Sequence, residues 1–245
     1  MNENGNGNGN GNGNDRIRVM EILNRSQYND EVIDQLDMSD LDLTFSDLSE
    51  VMAERIMAKR VLLRASSLMR ASFFDCDFEF ADFRSCNLEE IHIADCRFGE
   101  ADFSTSNMKY AKLNISSCFE TCFDEVDFSY GELVGTILNH ATFRHANLSG
   151  INAKQAECTG TDFSSANLTD GNFEKAYLEN ANLSEVDARN ADLTNADLTG
   201  ATLLNGNFMD ADFTGAKLDN VVWKGANVEG AKFDEGVKEQ VLQMI

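Results

Sequence analysis

Proline is absent from all 245 residues, against a usual share of roughly 5%, so no Pro-rich linker divides the chain. Histidine occurs only as the scattered His92, His140 and His145, which leaves little material for imidazole catalysis or metal binding. Cations are scarce: 20 Lys and Arg stand against 42 Asp and Glu, for a net charge of −22. That balance disfavours an electropositive nucleic-acid binder, because phosphate contacts need clustered Lys and Arg, and no direct nucleic-acid contact is expected. No apolar run approaches the ~18 residues of a membrane span. No hydrophobic segment with a cleavage site opens the chain, so a cytoplasmic protein is expected. Six cysteines without an export signal read as reduced thiols rather than a disulfide framework. The phosphate-loop, dinucleotide and zinc-protease motifs are missing, and the single Ser-Gly at 149–150 is no nucleophile elbow. No cofactor, metal site or catalytic residue is expected.

What is present is a period. Every fifth position from Leu63 to Phe233 is apolar, and 27 of these 35 positions are Leu or Phe, with Cys118, Ala153, Cys158 and Ala188 as small exceptions. Thirteen of the 17 phenylalanines fall in this one class, where chance would place about a fifth. The register extends back through Leu48 and Leu43 to Met38. Two residues before each central position the residue is Ala in 17 of 35 cases, and most of the others are Ser, Cys, Thr, Gly or Val. Asp or Asn dominates between them, as in Ala81-Asp82-Phe83 and Ala191-Asp192-Leu193. A period of five fits neither a helix at 3.6 nor a strand at 2. It fits a solenoid that turns a corner every five residues, burying one large and one small side chain per side.

The A-(D/N)-(L/F)-x-x run over about residues 38–235 resembles the pentapeptide-repeat family. The resemblance implies an all-β fold, a right-handed quadrilateral β-helix in which four pentapeptides make one square coil of twenty residues. About ten coils are expected, stacked at ~4.7 Å into a rod roughly 45 Å long. One side should stack Phe83, Phe103, Phe123, Phe143 and Phe163, then Leu183, Leu203 and Trp223. Open ends need caps. Residues 15–37 are the expected N-terminal helical cap, with Asp15 as N-cap, Ile17, Met20, Ile22 and Leu23 on one face, and a second turn at Val32, Ile33 and Leu36. Residues 236–245 are the expected C-terminal helical cap, with Val237, Val241, Leu242 and Ile245 at helical spacing. Residues 1–14, with five Asn-Gly pairs, are expected to be a disordered tail. Ser49–Arg60 could be an amphipathic helix, but Ala53 and Ala58 keep the central register beside Val51 and Ile56, which favours a continued coil with large and small exchanged. Cys76 and Cys96 should stack in adjacent coils as small buried residues, and Cys118 and Cys158 hold central positions.

Function must then lie on the surface. Solvated carboxylates on convex sides acquire no catalytic pKa values, so a non-catalytic scaffold binding a protein partner through the sides of the rod is expected. Two surfaces are candidates. The acidic one is Asp75, Asp77, Asp82, Glu89, Glu90, Asp95, Glu100 and Asp102, in a stretch (71–130) with 13 acids and four bases. A basic cluster of Arg55, Lys59, Arg60, Arg64 and Arg70 precedes it. The apolar one is Phe74, Phe80, Tyr110, Ile115, Phe119, Tyr130 and Val134, large residues at outward positions. The net charge from 38 to 245 is −18, about two-thirds of the roughly 26 charges on 45 Å of B-DNA. The resemblance offers an alternative here: some pentapeptide-repeat proteins bind DNA gyrase or related topoisomerases and protect them from quinolone-type poisons, as DNA mimics. Those relatives often project loops, and no insertion interrupts this register. The resemblance also implies an end-to-end homodimer through the C-terminal segment, with Leu242 and Ile245 as contacts.

Overall fold

A left-handed backbone residue recurs without a gap at every fifth position from Asp30 to Gly230 in the computed structural model, which describes residues 11–245. At the non-glycine corners φ runs from 52° to 62°. Each such residue follows the residue after a central one, as in a type II turn. The turn closes where the N–H three residues on returns to the central carbonyl, as Ala81 N does to Phe78 O at 3.1 Å. Four turns make one square coil, and the parallel ladder steps by twenty: Val32↔Met52, Met52↔Ser72, Ser72↔His92 and His92↔Lys112. The chain is thus a parallel β-solenoid with a short helix at either end.

Extended strand is confined to the first side. Strands β1 (Val32–Asp34), β2 (Met52–Glu54), β3 (Ser72–Phe74), β4 (His92–Ala94) and β5 (Lys112–Asn114) form one sheet in that order. The expected ten coils therefore divide. Strand proper spans four turns of this side, and single bridges carry the same step onward to Asp212↔Lys232. The difference has a local cause. After Phe73 and Ile93 the corner opens: Cys76 N donates to Cys96 Sγ at 3.3 Å and Cys96 N to Ser116 Oγ at 3.2 Å. After Leu133 the closed turn returns, Thr136 N donating to Leu133 O at 3.1 Å.

Each position of the motif has a job. The Asp or Asn accepts from the N–H two residues on, as Asp102 Oδ1 does from Ser104 N (2.9 Å) and Asp192 Oδ1 from Thr194 N (2.9 Å). This Asx turn fixes the side before the corner. Several Ser and Thr residues of the small class donate their hydroxyl to the coil before: Ser106 Oγ to Phe83 O (2.7 Å), and Thr161 Oγ1 to Leu138 O (2.8 Å). Size is limited by the large neighbour. A Cβ on Gly131 would stand 2.2 Å from the Phe128 ring.

The central residues fill the interior. Phe83, Phe103, Phe123, Phe143 and Phe163 stack with centroids 4.5–5.3 Å apart and planes within 12° of parallel. Leu183, Leu203 and Trp223 continue the buried column. Residues 49–60 are coil: Ala53 and Ala58 are buried at central positions, with Val51 and Ile56 buried as the exchanged partners. All six cysteines are free thiols, five of them buried, and burial pushes the Cys86 thiol up to about 12.

The caps depart from expectation. The N-terminal one is a single helix, α1 (Gly11–Asn29), so Asp15 lies inside it rather than at its start. The part of the expected tail up to residue 10 lies outside the described residues. Val32, Ile33 and Leu36 form no helical turn. Ile33 is already a central residue on β1, with corners at Asp30 and Gln35, so the solenoid starts one side earlier than 38. Helix α1 seals the first coil with Val19 and Leu23. Its side chains also serve the open carbonyl edge: Arg16 Nε donates to Asp42 O (2.8 Å), Gln27 Nε2 to Asp47 O and Ser49 O (3.2 and 2.9 Å). At the other end α2 is only Val237–Val241, begun by Gly236 at φ 78°. Val241 is buried, while Leu242, Met244 and Ile245 are exposed. The four residues expected on one face are therefore split between core and solvent.

Phe123, fully buried between two stacked rings, and Phe119, 43% exposed, give the first expected outcome. Phe123→Ala should lose about 3–5 kcal/mol to the cavity it leaves, and Phe119→Ala under about 1 kcal/mol, in urea unfolding. Asp82 gives the second. Its burial would raise its pKa, but hydrogen bonds from Arg84 and Arg64 outweigh that and hold it down at about 2. A depressed folded-state pKa stabilises the fold above the unfolded value near pH 4, and the gain is lost as pH falls toward 2. Asp82→Asn should thus cost about 1–2 kcal/mol at pH 7 and almost nothing at pH 2, with urea midpoints across that range as the measurement.

Candidate interaction surface

Positions twenty apart in sequence stand on top of one another, so charge on this surface is settled between neighbouring coils, within a column or between adjacent ones. The basic cluster is spent in this way. Arg60 pairs with Asp40 (2.6 Å), Arg70 with Glu50, Arg55 with Asp34 (2.8 Å), Lys59 with Glu79 (2.6 Å) and Arg64 with Asp82 (2.9 Å). Further along, Arg144–Asp124, Lys112–Glu132 and Lys154–Glu174 repeat the step.

The eight acidic candidates consequently do not form one surface. Asp77 and Asp82 are only 6% and 8% exposed. Asp77 is held by Lys59 and Arg97 (3.1 and 3.0 Å), and Asp82 by Arg84 and Arg64. Burial would raise the Asp77 pKa, but hydrogen bonds from the Glu79 N–H, Lys59 and Arg97 win and lower it. These two carboxylates anchor the coil and present no free charge. Glu89 and Asp102 are half-buried, with Asp102 3.5 Å from Arg84. Asp75, Glu90, Asp95 and Glu100 are exposed and make no ion pair among the described residues. Asp75 and Asp95 share one corner column, Glu100 stands on the next and Glu90 on a third. Glu120 and Glu125 add exposed carboxylates that the sequence reading passed over.

The seven apolar candidates separate into groups. Tyr110 and Tyr130 occupy one corner and stack at 5.6 Å with planes 16° apart. Tyr130 lies over Gly150, where a Cβ would come within 2.7 Å of its ring. Across the first side, Ile115 holds the next corner with Val134 beside it in the following coil. Phe119 lies on the second side, edge-to-face with His140 at 5.8 Å. Phe74 and Phe80 belong to the coil two turns earlier, both exposed. Ile137, exposed on the second side, joins Ile115 and Phe119. It occupies an Asp/Asn position, and an apolar residue there was the available signal.

An interior cavity lined by Leu168, Leu178, Leu183 and Phe208 holds about 10 Å³, room for about one water. Among the described residues no three His, Cys, Asp or Glu side chains gather as a metal site, and no helix is long and apolar enough to cross a membrane.

HetL, a pentapeptide repeat protein involved in heterocyst differentiation regulation from the cyanobacterium Nostoc sp. strain PCC 7120, shares this fold with a TM-score of 0.60 and 20% identity, over 89% of this chain and 98% of its own. QnrB1, a plasmid-mediated fluoroquinolone resistance protein, aligns in a trypsin-treated form at TM-score 0.43 and 19% identity, over 87% of this chain and 96% of its own. A pentapeptide repeat protein of the Arabidopsis thaliana thylakoid lumen aligns at TM-score 0.19 and 28% identity, over 48% of this chain and 75% of its own. No curated protein matches the chain. Eight copies of the pentapeptide repeat are recognised, over residues 60–89, 121–156, 143–178, 156–195 and 207–235. With more than half its length matched and a solenoid that turns every five residues, the chain belongs to the pentapeptide-repeat family.

Proposed function

We propose that the protein is a non-catalytic interaction scaffold that binds a protein partner through the sides of its solenoid. The observation that carries this reading is the exposed, stacked Tyr110–Tyr130 pair, held on a rigid corner over Gly150. Two large rings fixed before binding lose little conformational freedom on contact, and tyrosines of this kind anchor interfaces. Five of the six cysteines are buried as packing residues, and a reducing, cytoplasmic setting is part of this reading.

A second reading, mimicry of DNA toward gyrase or another topoisomerase, draws on the net charge of −18 over residues 38–245. The two readings differ in salt dependence and in which side chains matter. A partner captured from native lysate should bind with little change between low and high salt. Tyr110→Ala with Tyr130→Ala should weaken it by at least about tenfold, as loss of an anchor of about 1.4 kcal/mol does. Replacing Asp75, Glu90, Asp95 and Glu100 by amides should cost less. DNA mimicry requires the reverse order, binding that falls steeply with salt, competition by linear duplex DNA, and an effect on gyrase supercoiling at micromolar protein. Absence of all of these from the topoisomerase assays removes the second reading.

The exposed Leu242, Met244 and Ile245 beyond α2 support a homodimer through the C-terminal segment. Leu242→Glu with Ile245→Glu should convert a dimer to a monomer in sedimentation while its circular dichroism stays that of the folded solenoid, because neither side chain belongs to the core. A dimer that survives both charges places the contact elsewhere.

A further inference from the structure

Ile115 is the least expected corner residue in the solenoid. Its φ is 56°, and a left-handed conformation costs an L-residue roughly 1–2 kcal/mol. For a β-branched residue that conformation is an outlier. Its own column reads Asp75, Asp95, Ile115, Gly135, so the positions on either side hold residues that tolerate the turn better. The side chain is 72% exposed and gains nothing by burial. Its backbone N–H makes the ordinary ladder bond to Val134 O at 3.1 Å, which any residue would make. Strain of this kind, uncompensated within the chain, concentrates where a ligand is met.

Its surroundings agree. Within two stacked coils the register places Val134 just before the same corner, and Ile137 and Phe119 on the adjoining side. Phe119 is braced edge-to-face by His140, and His140 lies over Gly160, where a Cβ would stand 2.7 Å from Nδ1. The apolar ridge is therefore fixed in place. Around it run exposed carboxylates without ion pairs among the described residues: Asp95 above Ile115, Glu100 and Glu120 on the next corner, and Glu157 below Ile137. The nearby cations are occupied, Arg97 by Asp77 and Lys154 by Glu174. An occupant must bring both apolar side chains and positive charge.

Building on the scaffold reading, we infer that the Ile115–Ile137 corner docks an amphipathic helix of a protein partner, with its apolar face on Ile115, Phe119 and Ile137 and flanking Lys or Arg against Asp95, Glu100, Glu120 and Glu157. Geometry favours a helix laid along the rod axis. The coil step of about 4.8 Å is close to the helical pitch of 5.4 Å, so successive turns meet successive coils. The mismatch accumulates to only about 2 Å over three coils.

The test uses the full chain and two synthetic peptides of equal length and charge, a Leu/Lys amphipathic helix and its Ser/Lys counterpart. The Leu/Lys peptide should bind saturably in fluorescence anisotropy and slow amide exchange within 111–140, and the Ser/Lys peptide should not. Ile115→Asn should weaken binding at least about tenfold and at the same time raise the thermal midpoint, because Asn accepts the left-handed turn. Phe119→Ser should weaken binding comparably. The inference fails if neither peptide binds, if both bind equally, if exchange is slowed elsewhere, or if Ile115→Asn binds as the parent does or melts lower. A partner that binds through Tyr110 and Tyr130 and is indifferent to Ile115→Asn leaves the scaffold reading standing and removes this surface alone.

Discussion

A left-handed residue at every fifth position is the constraint from which the rest of this molecule follows. It bends the backbone by one corner per pentapeptide and brings residue i over residue i−20 along the whole ladder. Once that alignment is set, every interaction that can propagate along a column does so. Phenylalanines stack inside, Asn and Asp side chains link outside (Asn167 Nδ2 donates to Asn147 Oδ1 at 3.1 Å), and cations find carboxylates one coil away. At most corners the conformational cost is offset by a turn bond and a ladder bond, and the turn bond is lost only where the corner opens, as after Phe73 and Ile93.

The same alignment decides what the surface can say to a partner. Net charge counts all acids alike, but a carboxylate at the Asp/Asn position sits low, accepts a backbone N–H and meets a cation in the next coil. Asp77 and Asp82 are of that kind. A carboxylate at a corner, such as Glu90 or Glu100, stands clear. The free acids are therefore a subset dispersed over different corners. A duplex presents its phosphates as two continuous spirals, and this arrangement reproduces their number better than their order. The apolar residues, by contrast, are few and locally grouped, which is why the scaffold reading rests on them.

Position within the five-residue unit made the interior legible from sequence. Phe83 through Phe163, the exchanged Ala53/Val51 and Ala58/Ile56 pairs, and Cys76 over Cys96 all stand where the period puts them. The ends were harder because helix and coil share short apolar spacings. Ile33 lies five residues before Met38, yet with Val32 and Leu36 it also fits a helical turn, and only the corners at Asp30 and Gln35 decide for the coil. Gly236 marks a left-handed start that leaves α2 too short to bury Leu242 and Ile245. At the surface, charge sign was readable but depth was not, so the two best-anchored carboxylates were counted among the available ones. Ile137 was missed for a related reason: its position is normally polar and half-covered, and its exposure depends on the neighbours at 117 and 157 being small or solvated.

Corner residues carry information that core residues do not. A core position is constrained by volume, so its identity reports on packing. A corner position is constrained only by the left-handed turn, which favours Gly, Asn and Asp. A bulky residue there needs a separate reason, and the reasons differ. Tyr110 and Tyr130 recover part of the cost by stacking on each other and over Gly150. Phe45, though highly exposed, lies over the corner of Ala65 beside Thr44, with Leu62 the one other large exposed apolar residue on that side in the next coil. Ile115 has no stacking partner, carries the heavier penalty of a branched Cβ, and stands among other exposed apolar groups inside a ring of free carboxylates. Of the three situations, only the last combines strain, exposure and grouping, and those are the properties that distinguish a surface kept for contact from one that is merely tolerated.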